Sequence, residues 1–302
     1  MARMAKPLLD EPVVENSGAA QGRGSRRKRP KLGQNFLMDP NAARRIVDAL
    51  GDISQKTVIE IGPGHSALTE LLAERARRLI AIELDRVLAA QLRMKYTRAP
   101  NVEIIEGDVL AIDFSTLLGP RPGMGRPGLV QTPKKASLVG NLPYYITSDI
   151  LLHIFEYHQF FDTVVTMVQR EVADRIAAKP GGREFGLLSA TAQIYARIEK
   201  LFSLPPGAFS PPPKVHSTVL RLTIAPQMER LRVPEQEFIE FLKLSFGQKR
   251  KTLWNNLKSR YAAERITAAW RKAGVQSGAR AEALSLEKLA AIFRVLSGAA
   301  AD

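Results

Sequence analysis

The chain lacks cysteine altogether, which excludes disulfide bonds and zinc sites built from thiolates. Histidine is also scarce, and His65, His153, His158 and His216 are too scattered to show the spacing of metal ligands. We therefore expect no metal site. The absence of cysteine also fits a reducing compartment, the cytoplasm.

Long apolar runs are missing as well. No stretch approaches the roughly 20 apolar residues of a membrane-spanning helix. The first 30 residues hold no apolar segment typical of a signal peptide. We therefore expect a cytoplasmic protein with no membrane attachment.

Acidic residues are few relative to basic ones, because 44 Lys and Arg face 30 Asp and Glu in 302 residues. The net charge is +14 and the pI is about 10.1. Residues 1–31 contain eight basic and three acidic residues, a net +5, so the rest of the chain carries +9. This excess favours a polyanionic partner, with nucleic acid before an anionic membrane.

The composition changes along the chain. Residues 1–30 are dominated by Gly, Ser, Ala and charges, which predicts a disordered basic arm that either touches RNA or is a solvated leader. Residues 31–225 alternate strand and helix patterns, which predicts an α/β domain. Residues 233–297 are purely helical in pattern and predict a small all-helical domain. Residues 119–133, rich in Gly and Pro, predict a surface loop.

A glycine-rich turn follows the first predicted buried strand, Thr57–Ile61. Its sequence, Gly62-Pro63-Gly64-His65-Ser66-Ala67, matches the strand, G-x-G-x-x-G/A, helix pattern of nucleotide-binding folds. Glu83 ends the next predicted strand, 21 positions after Gly62, where an acidic residue binds ribose hydroxyls. The alternative for Glu83 is a solvated acid at a strand end, and Asp85 is expected to cap the following helix.

Asp108 follows the third predicted strand, at 102–105. A carboxylate at such a strand end can accept a hydrogen bond from an adenine amino group. The alternative is an aspartate that only shapes the turn.

A short apolar strand at 136–139 precedes Gly140, which together with Pro143 is expected to stop the strand. Asn141, Leu142, Pro143 and Tyr144 then lie at a strand's carboxyl end, where open α/β sheets bind ligands. Asn141 offers an amide oxygen, Leu142 and Pro143 offer backbone carbonyls, and the Tyr144 ring can stack on a base. This set predicts the handling of a planar amine. A plain strand-to-helix turn with a core tyrosine is the alternative.

Two further stretches have weaker signals. Phe209 precedes three consecutive prolines, and their rigidity predicts that its ring either flanks a base opposite Tyr144 or packs in the core. Gln34 to Leu37 precede a predicted helix capped by Asp39 and predict an ordered loop over a ligand.

A run of basic residues, Lys249, Arg250 and Lys251, lies in the helical region and recurs at Lys258 and Arg260. We expect one basic face of a helical bundle that contacts RNA. A solvated helix face is the usual alternative.

Taken together, these segments resemble the ribosomal RNA adenine dimethyltransferase family, the kasugamycin-resistance type that modifies small-subunit rRNA. The resemblance covers residues 31 to about 297. It departs from the family at Ser66, where many members have glycine, and in the longer loop at 119–133. The matching stretches are Gly33–Leu37, Glu60–Gly64, Ile82–Asp85, Gly107–Val109, Asn141–Tyr144, Gln169–Val172, Phe209–Val215, Gln248–Thr252 and Arg280–Glu282.

The resemblance implies a Rossmann-like methyltransferase fold, S-adenosyl-L-methionine as methyl donor, and two adjacent adenosines in the 3′-terminal hairpin of 16S rRNA as substrate. It implies a monomer that acts on the immature small ribosomal subunit. The donor-binding residues that it implies are Asn35, Leu37, Gly62, Glu83, Asp108 and Asn141.

Two other functions share parts of this pattern. A nicotinamide-dependent oxidoreductase shares the glycine turn and the acid, but it does not explain Asn141 to Tyr144 or the charge. A non-enzymatic nucleic-acid-binding factor on the same fold explains the charge, but it has no need of an intact Asn-Leu-Pro-Tyr stretch.

Overall fold

The computed structural model describes residues 34–119 and 135–298. The predicted basic arm at 1–30 lies outside these residues, as does nearly all of the loop predicted at 119–133. The strands are β1 Phe36–Leu37, β2 Thr57–Ile61, β3 Arg78–Glu83, β4 Val102–Glu106, β5 Ala136–Asn141, β6 Phe161–Gln169, β7 Ala196–Leu204, β8 Phe209–Ser210 and β9 Ser217–Ile224.

Helices follow most of these strands, as the alternating pattern predicts. They are α1 Pro40–Asp48, α2 Thr69–Arg75, α3 Arg86–Lys95, α4 Phe114–Leu118, α5 Thr147–Glu156, α6 Arg170–Ile176, α7 Leu187–Tyr195, α8 Met228–Leu231, α9 Glu235–Ser245, α10 Leu253–Leu257, α11 Ala263–Ala273 and α12 Leu286–Ser297. The predicted aspartate caps are confirmed, because Asp39 accepts from backbone N–H groups at the start of α1 and Asp85 does so for α3.

Seven strands form one sheet in the order β4-β3-β2-β5-β6-β9-β7. In this order, neighbouring strands from β4 through β3, β2 and β5 to β6 pair in parallel, and β9 pairs antiparallel with both β6 and β7. The chain starts in the middle at β2, moves outward to β4, and then returns to β5 on the other side. The crevice at the carboxyl ends of β2 and β5 is therefore the topological switch point, where such sheets bind ligands.

Apolar side chains cover both faces of this sheet. The central strands are buried along almost their whole length, as parallel strands covered on both faces must be. One core cluster continues from the sheet and α7 into the C-terminal helices α9 to α12. Because this cluster contains residues of both predicted domains, 31–225 and 233–297, their division into two domains stays a prediction.

Two features of the sheet differ from expectation. Gly140 does not stop β5, because it pairs within the strand with Ile61 on one side and Thr166 on the other. A side chain at Gly140 would place its Cβ 2.8 Å from the Ile61 carbonyl oxygen, so glycine permits close strand packing here. Strand β7 was not predicted, and it begins at Ala196, directly after α7 ends at Tyr195.

Among the described residues, no helix is both long and apolar enough to cross a membrane.

Candidate functional site

The glycine turn lies at the carboxyl end of β2, beside the end of β5. Gly62 and Gly64 have φ angles of +65° and +55°, the left-handed region that glycine reaches without steric cost. A Cβ placed on Gly62 would lie 3.9 Å from the Asn141 backbone oxygen. The turn and the Asn141 stretch therefore line one cavity.

Glu83 is buried at the end of β3, with only 2% of its surface exposed. Its Oε2 accepts from the Gly64 N–H at 3.0 Å, and its Oε1 accepts from the Asp85 N–H at 2.9 Å. Burial raises the pKa of Glu83, and these two backbone hydrogen bonds oppose that shift. A solvated acid at a strand end is therefore excluded, and the carboxylate is held against the glycine turn.

Asp108 is exposed and caps a single 3-10 turn, because its Oδ1 accepts from the Leu110 N–H at 2.9 Å. The neighbouring Gly107 N–H donates to the Glu83 carbonyl at 2.9 Å, so Asp108, which follows β4, lies near the end of β3. The turn-shaping role is thus observed. The binding of an adenine amino group stays a prediction.

The side-chain amide of Asn141 is fixed by a contact from outside the sheet. Its Nδ2 donates to the Asn35 carbonyl at 2.7 Å. Since the two polar atoms of an amide lie on opposite sides of Cγ, this bond sets the direction of Oδ1. The predicted sites at Asn35 and Asn141 therefore meet in the structure.

The two backbone carbonyls after Asn141 differ in availability. The Pro143 carbonyl accepts from the Ile146 N–H at 3.3 Å and from the Thr147 Oγ1 at 2.9 Å. A carbonyl oxygen has two lone pairs, so the start of α5 already uses both. The Leu142 carbonyl has no such role in capping the helix.

Tyr144 is half-buried, and its hydroxyl lies 2.6 Å from the Ser217 Oγ at the start of β9. Burial raises the pKa of the Tyr144 phenol, so the hydroxyl is neutral at physiological pH. Ser217 is fully buried and went unnoticed in the sequence. Only the pairing of β9 with β6 brings it near Tyr144, and no local motif signals that pairing.

The segment Gln34 to Leu37 lies over the crevice, and its last two residues form the short strand β1. Strand β1 pairs antiparallel with β8, with Leu37 opposite Phe209 and Phe36 opposite Ser210. Phe209 is only 4% exposed and packs in the same core cluster as Leu37. Core packing of Phe209 is thus observed, and its contact with a substrate base stays a prediction.

Two aromatic rings cover the glycine turn. The Phe36 and His65 ring centroids lie 4.1 Å apart, and a Cβ on Gly64 would lie 2.7 Å from Phe36 Cδ1. Glycine at 64 is therefore required by this close approach as well as by its φ angle. The sequence gives no local sign of this contact.

Glu60 also belongs to the candidate site, although it was not predicted from the sequence. It is 1% exposed in β2 and lines the same cavity as Gly62, His65 and Asn141. Its Oε2 has no hydrogen-bond partner within the described parts of the chain. Burial raises its pKa to about 8. A charged residue in the otherwise apolar strand sequence TVIEI is the signal that was available.

The basic run is placed differently from the expectation. Lys249, Arg250 and Lys251 are exposed in the turn between α9 and α10, not on a helix face. Lys249 Nζ donates to the Arg183 carbonyl at 3.3 Å, which brings a second basic residue to this surface.

The sheet order, the glycine turn with its buried acid, and the Asn-Leu-Pro-Tyr turn define a nucleotide-binding α/β fold whose candidate site lies at the carboxyl ends of β2 and β5. The left-handed glycines and the buried acid Glu83 at the end of β3 fit a ligand that carries a ribose.

The chain belongs to the ribosomal RNA adenine dimethylase family, whose pattern matches residues 25–297. It is 57% identical over 278 residues to the ribosomal RNA small subunit methyltransferase A of Koribacter versatilis, covering 92% of this chain and 98% of that protein. The protein of the same name from Acidobacterium capsulatum is 55% identical over 273 residues, or 90% of this chain and 92% of the relative. The chain is therefore an rRNA adenine dimethyltransferase.

Solved structures agree in fold. The 23S rRNA methyltransferase ErmE superimposes with a TM-score of 0.64 at 28% identity, covering 87% of this chain and 100% of that one. A dimethyladenosine transferase from Plasmodium falciparum superimposes with a TM-score of 0.66 at 22% identity, covering 85% and 95%. The predicted Rossmann-like fold is thereby confirmed.

Proposed function

We propose that this protein dimethylates N6 of two adjacent adenosines in the 3′-terminal hairpin of 16S rRNA, acting as a monomer on the immature small subunit in the cytoplasm. The observation that carries this proposal is the Asn141 amide, fixed by Asn35 beside the glycine turn at the carboxyl end of β5. Asn141 lines the same cavity as the glycine turn, which supports its amide oxygen as the acceptor for the substrate amine.

The donor site is formed by the ends of β2, β3 and β4. S-adenosyl-L-methionine supplies a methyl group on a positively charged sulfur. Glu83 holds the ribose hydroxyls through lone pairs that its two backbone bonds leave available. Gly62 would allow close backbone approach, Asp108 would accept from the adenine amino group of the donor, and Asn35 and Leu37 would close the site from the segment that contains β1.

The substrate amine needs activation because its lone pair is delocalised into the adenine ring. In the unmethylated adenosine, Asn141 Oδ1 accepts one N6–H and the Leu142 carbonyl accepts the other, which favours a pyramidal and more nucleophilic nitrogen. The nitrogen loses a proton to solvent after each methyl transfer, and the monomethylated amine keeps one of these two hydrogen bonds during the second. The Pro143 carbonyl is not used, because the start of α5 already occupies it. Pro143 instead fixes the direction of the turn. Placement and electrostatics supply the catalysis, without a general base before transfer.

The target adenine must leave its stack to reach this crevice. Tyr144 then holds the flipped base by stacking, with Ser217 fixing the ring through the hydroxyl. Phe209 supports the opposite side from β8. Lys249, Arg250 and Lys251 contact phosphates elsewhere on the RNA.

The direct test is to incubate the protein with methyl-labelled donor and unmethylated small subunits, and then to map the modified bases by mass spectrometry. We expect two adjacent dimethylated adenosines near the 3′ end of the rRNA. The Asn141→Ala variant serves as the matched control and should leave both unmodified. Label on another base, or none with the parent protein, would refute the proposed function.

A further inference from the structure

Ser66 occupies a backbone conformation that normally belongs to glycine. Its φ angle is +67°, and it is one of two non-glycine residues with positive φ in the described part of the chain. Residues with a Cβ persist in this region only when their surroundings hold them there. Contacts around Ser66 must therefore stabilise a conformation that glycine would adopt without steric cost.

Three polar contacts hold Ser66, which is 2% exposed. Its N–H donates to the Pro63 carbonyl at 2.8 Å, and its carbonyl accepts from the Glu70 N–H at 3.3 Å. A glycine would make these two backbone bonds equally well. The third contact needs the side chain, because Ser66 Oγ accepts from Lys95 Nζ at 2.7 Å.

Lys95 is the last residue of α3 and reaches back across to the glycine turn. Its ammonium group also forms an ion pair with the Glu70 carboxylate in the first turn of α2. The hydrogen bond to Glu70 raises the pKa of Lys95, so the ammonium stays charged at neutral pH. One side chain therefore ties α3 to both the turn and the helix that follows it.

The unit formed by β3 and α3 thus holds the glycine turn at two points, Gly64 through Glu83 and Ser66 through Lys95. We propose that Lys95 is a positioning residue for the donor site, which acts by holding Ser66 in its left-handed conformation. This inference rests on the proposed role of the turn in binding S-adenosyl-L-methionine. It requires that Lys95 matter only while residue 66 has a side chain.

The test is a double-mutant cycle on the full chain, with donor affinity measured by calorimetric titration. Lys95→Met keeps the length of the side chain and removes its charge, and Ser66→Gly removes the need for the contact. Arg98→Met is the charge control, because Arg98 is equally exposed and lies three residues further along. Lys95→Arg is the conservative variant, which keeps the charge and the donor groups.

We expect Lys95→Met to weaken donor binding roughly five- to ten-fold, as for a lost charged hydrogen bond at a partly exposed site. Turnover at saturating donor should stay unchanged. In the Ser66→Gly background the same change should alter the dissociation constant less than about two-fold. Arg98→Met and Lys95→Arg should bind like the parent.

Equal weakening in both backgrounds would overturn the inference, because Lys95 would then act independently of Ser66. An unchanged affinity of Lys95→Met in the parent background would overturn it too. Melting curves without donor show whether each variant is folded, and Lys95→Gln replaces any Lys95→Met protein that is not. If the parent protein itself bound no donor, the proposed function would fail rather than this inference.

Discussion

The ring and the hydroxyl of Tyr144 have separate tasks. Stacking on a base is worth about 1–3 kcal/mol, so Tyr144→Ala should lower kcat/KM by roughly ten- to a hundred-fold. Tyr144→Phe keeps the ring but leaves the buried Ser217 Oγ without its partner at 2.6 Å. We expect Phe at 144 to retain much of the activity in single-turnover methylation, yet to lower the free energy of unfolding by about 1–3 kcal/mol.

The control for this prediction is the double variant Tyr144→Phe/Ser217→Ala. Removing both polar partners should recover most of the stability lost in Tyr144→Phe, because no unpaired hydroxyl remains buried. If Tyr144→Phe were as inactive as Tyr144→Ala, stacking would be the wrong role for the ring.

The burial of Glu60 predicts that the stability of the protein depends on pH. Burial raises its pKa to about 8 in the folded state, above the ordinary value of 4.5. The folded protein therefore binds this proton more tightly than the unfolded chain does, and stability falls as pH rises from about 4.5 towards 8. Glu60→Gln removes this titration while keeping a similar shape.

We expect Glu60→Gln and the parent protein to unfold at similar temperatures near pH 5. The variant should become progressively more stable than the parent between about pH 5 and pH 8, at up to about 1.4 kcal/mol for each pH unit, and the difference should level off above pH 8. Thermal melting across this range is the measurement. A constant difference between the two proteins at every pH would show that Glu60 does not titrate on unfolding.

At the scale of the element, β5 depends on Gly140. A methyl group there would lie 2.8 Å from the Ile61 carbonyl oxygen and 3.1 Å from the Ile61 Cβ, in the middle of a buried sheet. Gly140→Ala should therefore lower the free energy of unfolding by about 1–3 kcal/mol, or the melting temperature by roughly 2–12 °C. Gly207→Ala is the matched control, since its added Cβ meets nothing within 4 Å. Equal melting temperatures for the two variants would contradict this account of β5.

The elements show which features a sequence reveals. Strand β2, the glycine turn and the Glu83 strand end were predictable because spacing along the chain fixes them. The role of Gly140 was predicted wrongly, because a glycine that ends a strand and one that permits close packing look alike in sequence. The pairing of β1 with β8 was not predictable, since it joins residues more than 170 positions apart.

The same limit applies to the site. Asn141, Tyr144 and the acids proposed to bind the donor stand out because each has an unusual residue type at a strand end. Ser217 and Lys95 do not, because their importance comes from the tertiary contacts that they make with Tyr144 and Ser66. The buried Glu60 lies between these two cases. The sequence shows an acid within an apolar strand, but it does not show which way the side chain points.

At the scale of the whole molecule, the positive charges expected to bind RNA belong to other residues than those proposed to perform the reaction. The residues proposed to contact donor and base are acidic, amide or aromatic, whereas Lys249, Arg250 and Lys251 project from the turn between α9 and α10. Replacing these three with glutamine should therefore weaken RNA binding without changing donor affinity. Each lost phosphate contact should reduce the slope of log K against log salt by roughly 0.7–0.9.

The measurement is the affinity for the 3′-terminal rRNA hairpin at several salt concentrations. A triple variant at Arg75, Arg77 and Arg98 is the matched control, because these residues lie at the amino-terminal end of the sheet, away from the crevice. It has the same net charge as the loop variant, so it separates the effect of position from that of total charge. A slope identical to the parent's in the loop variant would mean that the three residues face only solvent. An equal drop in both variants would mean that the RNA responds to net charge and not to this loop.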